Sequence, residues 1–214
     1  MVGYYNYTVW LTYFSLVFGG AGICFALSMH PYLATIMLAV SGICDLFDGK
    51  IARTKKDRTD NEKHFGIEID SLCDLVCFGC LPLCIGYCVG MKQWYFWPLL
   101  ILFIVCGMIR LAYYNVVEFN KAPGEKSVFY GLPITTSAII IPFLMLFHPL
   151  IGVNYFYIVY AVVLGLLTIG YIVKIRIPKP STKTSIIMVI ILMLIFIALL
   201  VVELILKING LILW

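Results

Sequence analysis

Apolar runs long enough to cross a bilayer follow one another along almost the whole chain, separated by short polar stretches. They are Thr8–Met29, Tyr32–Ala52, Gly66–Val89, Phe96–Val117, Gly131–Leu150, Val153–Val173 and Ser185–Leu206. A helix needs about 20 apolar residues to span. Lipid offers no water to free backbone groups, so each run is predicted to be a helix. The expected fold is all-α: a polytopic transmembrane bundle of about seven spans, forming one domain over residues 1–214. Composition agrees. Charged residues make up 12% of the chain and mean hydropathy is +1.02, whereas a soluble domain is about 25% charged. The first run lacks a basic leader and is long enough to span, so it is expected to stay in the membrane rather than be cleaved.

The net charge of +4 does not indicate nucleic acid, because the cations are scattered through short loops. With a cytoplasmic amino terminus and alternating spans, the inner side receives Lys50, Arg53, Lys55, Lys56, Arg58, Lys63, Arg110, Lys121, Lys126, Lys174, Arg176, Lys179 and Lys183. The outer side receives only Lys92 and Lys207. Thirteen of the 15 basic residues are then inside, which is how orientation is encoded. The cluster Trp94, Tyr95, Phe96 and Trp97 before Pro98 is read as an outer interfacial belt. Glu203 and Lys207, four apart, are read as an ion pair near the outer surface.

Four carboxylates gather where the second span ends and the third begins. The sequence runs Asp45-x-x-Asp48-Gly49-x-x-Ala52-Arg53, then Gly66-x-x-x-Asp70-x-x-x-Asp74. Spacings of three and four put each set on one helical face. Two antiparallel helices can turn these faces together. Such a cluster is costly at a membrane edge unless a cation neutralises it. All-oxygen ligands suit Mg²⁺ or Mn²⁺, with Ca²⁺ also compatible, and exclude zinc. Asp45, Asp48, Asp70 and Asp74 are therefore candidate metal ligands, enough for two ions sharing some carboxylates. Gly49 and Ala52 lack bulk, so a nucleotide could lie against the backbone, and Arg53 could pair with phosphate. Thr54 to Phe65 is predicted to be a lengthened polar loop.

This pattern resembles the motif of the CDP-alcohol phosphotransferase family, D-x-x-D-G-x-x-A-R…G-x-x-x-D-x-x-x-D, with every fixed position present. The resemblance implies a six-helix core, frequent homodimerisation and divalent metal. It implies that Asp45, Asp48 and Asp70 hold metal, and that Asp74 is the general base and also touches the second ion. Asp48, Gly49, Ala52, Arg53 and Gly66 are the expected nucleotide contacts. The gap between Arg53 and Gly66 is longer than the family's usual one. A second resemblance points to one branch. Asp70-Ser-Leu-Cys-Asp74-Leu-Val-Cys-Phe-Gly79, Arg110-Leu-Ala-Tyr-Tyr-Asn115 and Phe129-Tyr-Gly-Leu-Pro133 are similar to segments of bacterial and archaeal phosphatidylserine synthases. Thr135 stands where that branch often has a second proline. The branch implies transfer from CDP-diacylglycerol to L-serine, with Arg110 and Asn115 as candidate acceptor contacts.

Other readings make different demands. A relative using glycerol 3-phosphate, inositol phosphate or choline keeps the motif. A phosphorylated acceptor calls for more cations than the one, Arg110, embedded in a span beyond the motif. Membrane prenyltransferases also pair Asp-x-x-Asp motifs with Mg²⁺, but their motifs lie much farther apart. A divalent-cation carrier would place its acids near the midplane on broken helices. Finally, Cys73, Cys77, Cys80, Cys84 and Cys88 share one face. Without a second C-x-x-C pair, they are read as a packing stripe rather than a thiolate site.

Overall fold

The computed structural model describes residues 3–5, 7–52, 55, 57, 59–120, 129–177 and 182–208, with only the backbone of residues 8, 49–52, 129–130, 153, 176–177 and 182–186. The chain forms α1 (Trp10–Leu27), α2 (Pro31–Ala52) and α3 (Asp60–Asp74). A π-helical stretch, Leu75–Cys80, carries α3 without a break into α4 (Leu81–Cys88). Then follow α5 (Trp97–Phe119), α6 (Ser137–Met145), α7 (His148–Ile151), α8 (Val153–Ile172) and α9 (Thr182–Ile208). Among the described residues, the only strands are β1 (Phe129–Tyr130) and β2 (Arg176–Ile177), a two-residue antiparallel pair. The fold is a polytopic helical bundle. Among the described residues, six helices are long and apolar enough to span: Trp10–Leu27, Pro31–Asp48, Asp60–Cys88, Trp94–Phe119, Asn154–Ile172 and Ile187–Ile208.

Two sequence expectations need correction. The predicted helix at Gly131–Leu150 is broken into a 3-10 turn, α6 and α7. Pro142 sits inside α6, and the next turns tighten through Leu146 N→Phe143 O and Phe147 N→Leu144 O before Pro149. Prolines remove backbone donors and disfavour helix in the residue before them. The segment still runs the length of α8. Leu132 N bonds Gly170 O at one end, and Gly152 joins α8 at the other.

The second correction concerns the polar loop. Its latter half, from Asp60, is helix, so the third span starts six residues before Gly66. Thr59 Oγ1 accepts from Glu62 N, and Glu62 Oε2 accepts from Thr59 N. This reciprocal cap satisfies two of the helix's orphan donors.

Close packing follows from small residues. On α1 the buried face is Thr12, Ser15, Gly19, Gly22 and Ala26. A Cβ at Gly19 would overlap the Cys77 sulfur, and one at Gly22 would crowd Leu81. Ser15 and Ser41 hydroxyls meet at 2.7 Å between α1 and α2. Of the cysteine face, Cys73 Sγ packs on Thr12 O and Cys77 Sγ on Ser15 O, whereas Cys80 and Cys84, at and beyond the end of the π-helical stretch, are half-buried.

Candidate active site

The ends of the helices fall into two sets. At one end, the carboxyl terminus of α2 meets the start of α1, through Thr12 and Asp48. His64 on α3 stacks on Phe119 at the end of α5, ring centroids 4.7 Å apart. At the other end, Tyr32 meets His148, and Phe96 meets Tyr157. The motif carboxylates all belong to the first end.

Asp45 and Asp48 lie on the last turns of α2, and Asp70 and Asp74 on the last turns of α3. Asp45, Asp70 and Asp74 each present a carboxylate oxygen, all within 4.8 Å of one another. Asp45 abuts Asp74, and Asp48 abuts Asp70. The two faces predicted from spacing therefore do meet. Asp48 and Asp74 are buried. Asp74 is the last α-helical residue before the π-helical stretch, a local irregularity frequent at functional sites. Gly66 lies on α3 one turn before Asp70. Gly49 and Ala52 lie in the last turn of α2, and Arg53 falls outside the described residues, as do Lys56, Arg58, Lys121, Lys126 and Lys179.

A converging set of carboxyl oxygens, buried at Asp74 and half-buried at Asp45 and Asp70, fits a hard divalent cation, because like charges at this spacing repel unless one neutralises them. Asp45, Asp70 and Asp74 would hold it, with Asp48 beside them.

Arg110 and Asn115 are both buried on α5. Asn115 Oδ1 accepts from Ser71 Oγ at 3.0 Å, next to Asp70. Arg110 lies within electrostatic reach of Asp74 and Asp45. Its guanidinium carbon sits 5.6 Å from the ring centre of Tyr114, and its Nε has no hydrogen-bond partner among the described residues. Beside it is a cavity of about 250 Å³, lined also by Tyr113, Gly131, Tyr171 and Lys174. Gly131 carries a φ of +78°, and a Cβ there would lie 2.7 Å from the Tyr171 carbonyl oxygen. The Gly-Leu-Pro segment thus docks on the end of α8, and its Gly131 forms part of the cavity wall.

The family pattern described as CDP-alcohol phosphatidyltransferase matches residues 5–170. The chain belongs to this family. Its members generally use a divalent metal, consistent with the acidic cluster. Several relatives carry the name CDP-diacylglycerol–serine O-phosphatidyltransferase. The one from Mycobacterium bovis is 33% identical over 132 residues, covering 60% of this chain and 45% of that protein. The one from Helicobacter pylori is 30% identical over 178 residues, covering 77% and 68%. That from Bacillus subtilis is 33% identical over 123 residues, covering 54% and 64%. The chain thus spans about half the length of the mycobacterial relative it matches.

Sequence reasoning missed three participants. Thr12 donates to Asp48 Oδ2 at 3.4 Å, Ser71 holds Asn115, and Tyr171 walls the Arg110 cavity. Thr12 and Ser71 left a readable signal, a hydroxyl on a buried helical face. Tyr171 left none, since it is 61 residues from Arg110 in an otherwise apolar run.

Proposed function

We propose that this chain transfers a phosphatidyl group from CDP-diacylglycerol to L-serine, giving phosphatidylserine and CMP. The observation that carries this reading is the convergence of Asp45, Asp70 and Asp74 beside a buried Arg110 whose Nε is unpaired among the described residues. The names of the relatives supply the serine.

In this reading Asp45, Asp48, Asp70 and Asp74 hold one or two Mg²⁺ or Mn²⁺ ions. Bound metal supplies charge neutralisation at the pyrophosphate and at departing CMP. Asp48, Gly49, Ala52, Arg53 and Gly66 receive the nucleotide, the small residues letting it approach backbone and Arg53 pairing with phosphate. Arg110 and Asn115 hold the acceptor, the guanidinium matching one carboxylate in a two-pronged pair. The serine hydroxyl attacks the β-phosphorus, forming the new P–O bond. Asp74 takes the hydroxyl proton. The bond from β-phosphorus to the bridging oxygen breaks, and CMP leaves with that oxygen. The diacyl tails stay in the bilayer, in keeping with a site at the helix ends.

The same reading makes residues 1–214 one membrane domain, with the amino terminus and the acidic end in the cytoplasm and two copies forming a homodimer. The charge pattern supports the orientation: Lys55, Lys63 and Lys174 belong to the acidic end, against Lys92 and Lys207 at the other.

The test is an acceptor panel with purified protein and CDP-diacylglycerol. L-Serine is expected to release CMP and form phosphatidylserine. Transfer to glycerol 3-phosphate, inositol phosphate or choline, but not to L-serine, overturns the assignment.

A further inference from the structure

Helix α1 carries none of the motif, yet through Thr12 it reaches one of the motif's carboxylates, Asp48. Thr12 is buried on the α1 face that packs against α2 and α3. Its hydroxyl donates to Asp48 Oδ2 at 3.4 Å, and its carbonyl accepts from Cys73 Sγ at 3.4 Å. Cys73 immediately precedes Asp74, so Thr12 touches both carboxylate-bearing helices, one through each of its polar groups. The next residue on the same face, Ser15, repeats the arrangement one turn deeper, on Ser41 and on Cys77. That deeper contact meets hydroxyl, carbonyl and thiol groups, whereas Thr12 meets a carboxylate. The small residues below it, Gly19 and Gly22, bring α1 close enough for the threonine to reach across.

We infer that Thr12 is a positioning residue for the metal site, orienting the Asp48 carboxylate from a helix outside the motif. A carboxylate oxygen that accepts a donor from the protein is fixed in direction, which leaves its other oxygen to face the cation. Loss of such a supporting bond typically costs about 10–100-fold in metal affinity or activity. Burial adds to the effect, since little water can replace the lost donor. The inference rests on the metal site proposed above.

The test reads Mn²⁺ binding directly, by the free Mn²⁺ electron paramagnetic resonance signal, in the purified full-length protein. Thr12→Val keeps shape and burial but removes the donor, and Thr12→Ser restores it. Thr12→Val is expected to weaken Mn²⁺ binding about 10-fold or more, with Thr12→Ser close to the unaltered protein. In an Asp48→Asn background, Thr12→Val is expected to add no further loss. Melting of each variant without metal separates a folding defect from a site defect, and Thr12→Val is expected to melt near the unaltered protein. Mn²⁺ binding by Thr12→Val within twofold of the unaltered protein overturns the inference. So does equal weakening by Thr12→Ser, or an undiminished effect beside Asp48→Asn. If the unaltered protein itself binds no Mn²⁺, the metal site fails, a result distinct from any of these.

Discussion

Ser71 Oγ donates to Asn115 Oδ1 at 3.0 Å, joining the helix that carries Asp70 and Asp74 to the helix that carries Arg110. The bond lies one residue from a candidate metal ligand and five from the candidate acceptor cation. Interhelical hydrogen bonds in bilayers average about 0.6 kcal/mol. Asn115→Leu is expected to lower stability by roughly that amount and to raise the KM for serine more than it lowers kcat. An unchanged KM with normal stability removes Asn115 from the acceptor site.

Chelation tests the carboxylates. EDTA is expected to abolish transfer, and Mg²⁺ or Mn²⁺ to restore it, since the converging Asp45, Asp70 and Asp74 repel one another unless a divalent ion neutralises them. Full activity in excess chelator defeats the metal reading.

Asp74→Asn keeps the side chain's shape and removes the proton acceptor. Loss of a general base typically costs about 10²–10⁴-fold in rate. A fall of that size in kcat is expected, with CDP-diacylglycerol still bound. Near-normal turnover moves the base to another residue.

Arg110→Ala is expected to raise the KM for serine about 10-fold or more, because hydrogen bonds to charged groups contribute about 1.5–3 kcal/mol. Nucleotide binding should change little. An equal loss of CDP binding and serine affinity places Arg110 on the donor side instead.

The cysteine face is expected to be replaceable. Cys77 and Cys80 changed together to Ala should leave the metal requirement intact. Gly19→Leu, by contrast, should be severely destabilising, because its side chain would enter the space of the Cys77 sulfur against closely packed helices. Loss of a bound thiophilic metal in the double Ala variant restores the thiolate reading.

Much of this architecture was legible in the sequence because it depends on local periodicity. Apolar run length placed most of the spans, since lipid tolerates no unpaired backbone. Spacings of three and four placed Asp45 with Asp48 and Asp70 with Asp74, since helical geometry fixes which residues share a face. The capping box at Thr59 and Glu62 was equally local and readable, yet a polar composition disguised it as loop. The fifth segment was misjudged for a related reason: hydropathy sees apolar length and overlooks what Pro142 and Pro149 do to the backbone.

Tertiary structure alone decided which distant residues meet. No period relates Thr12 to Asp48, 36 residues away, or Ser71 to Asn115, 44 away. Nor could composition place Gly131 against the Tyr171 carbonyl beside Arg110. Those contacts depend on how closely and at what rotation whole helices pack, which side-chain size and backbone breaks set jointly across the bundle. The sequence alone determined the two acidic faces. The helix that supports Asp48 and the cavity beside the buried cation came only with the packing of all the helices together.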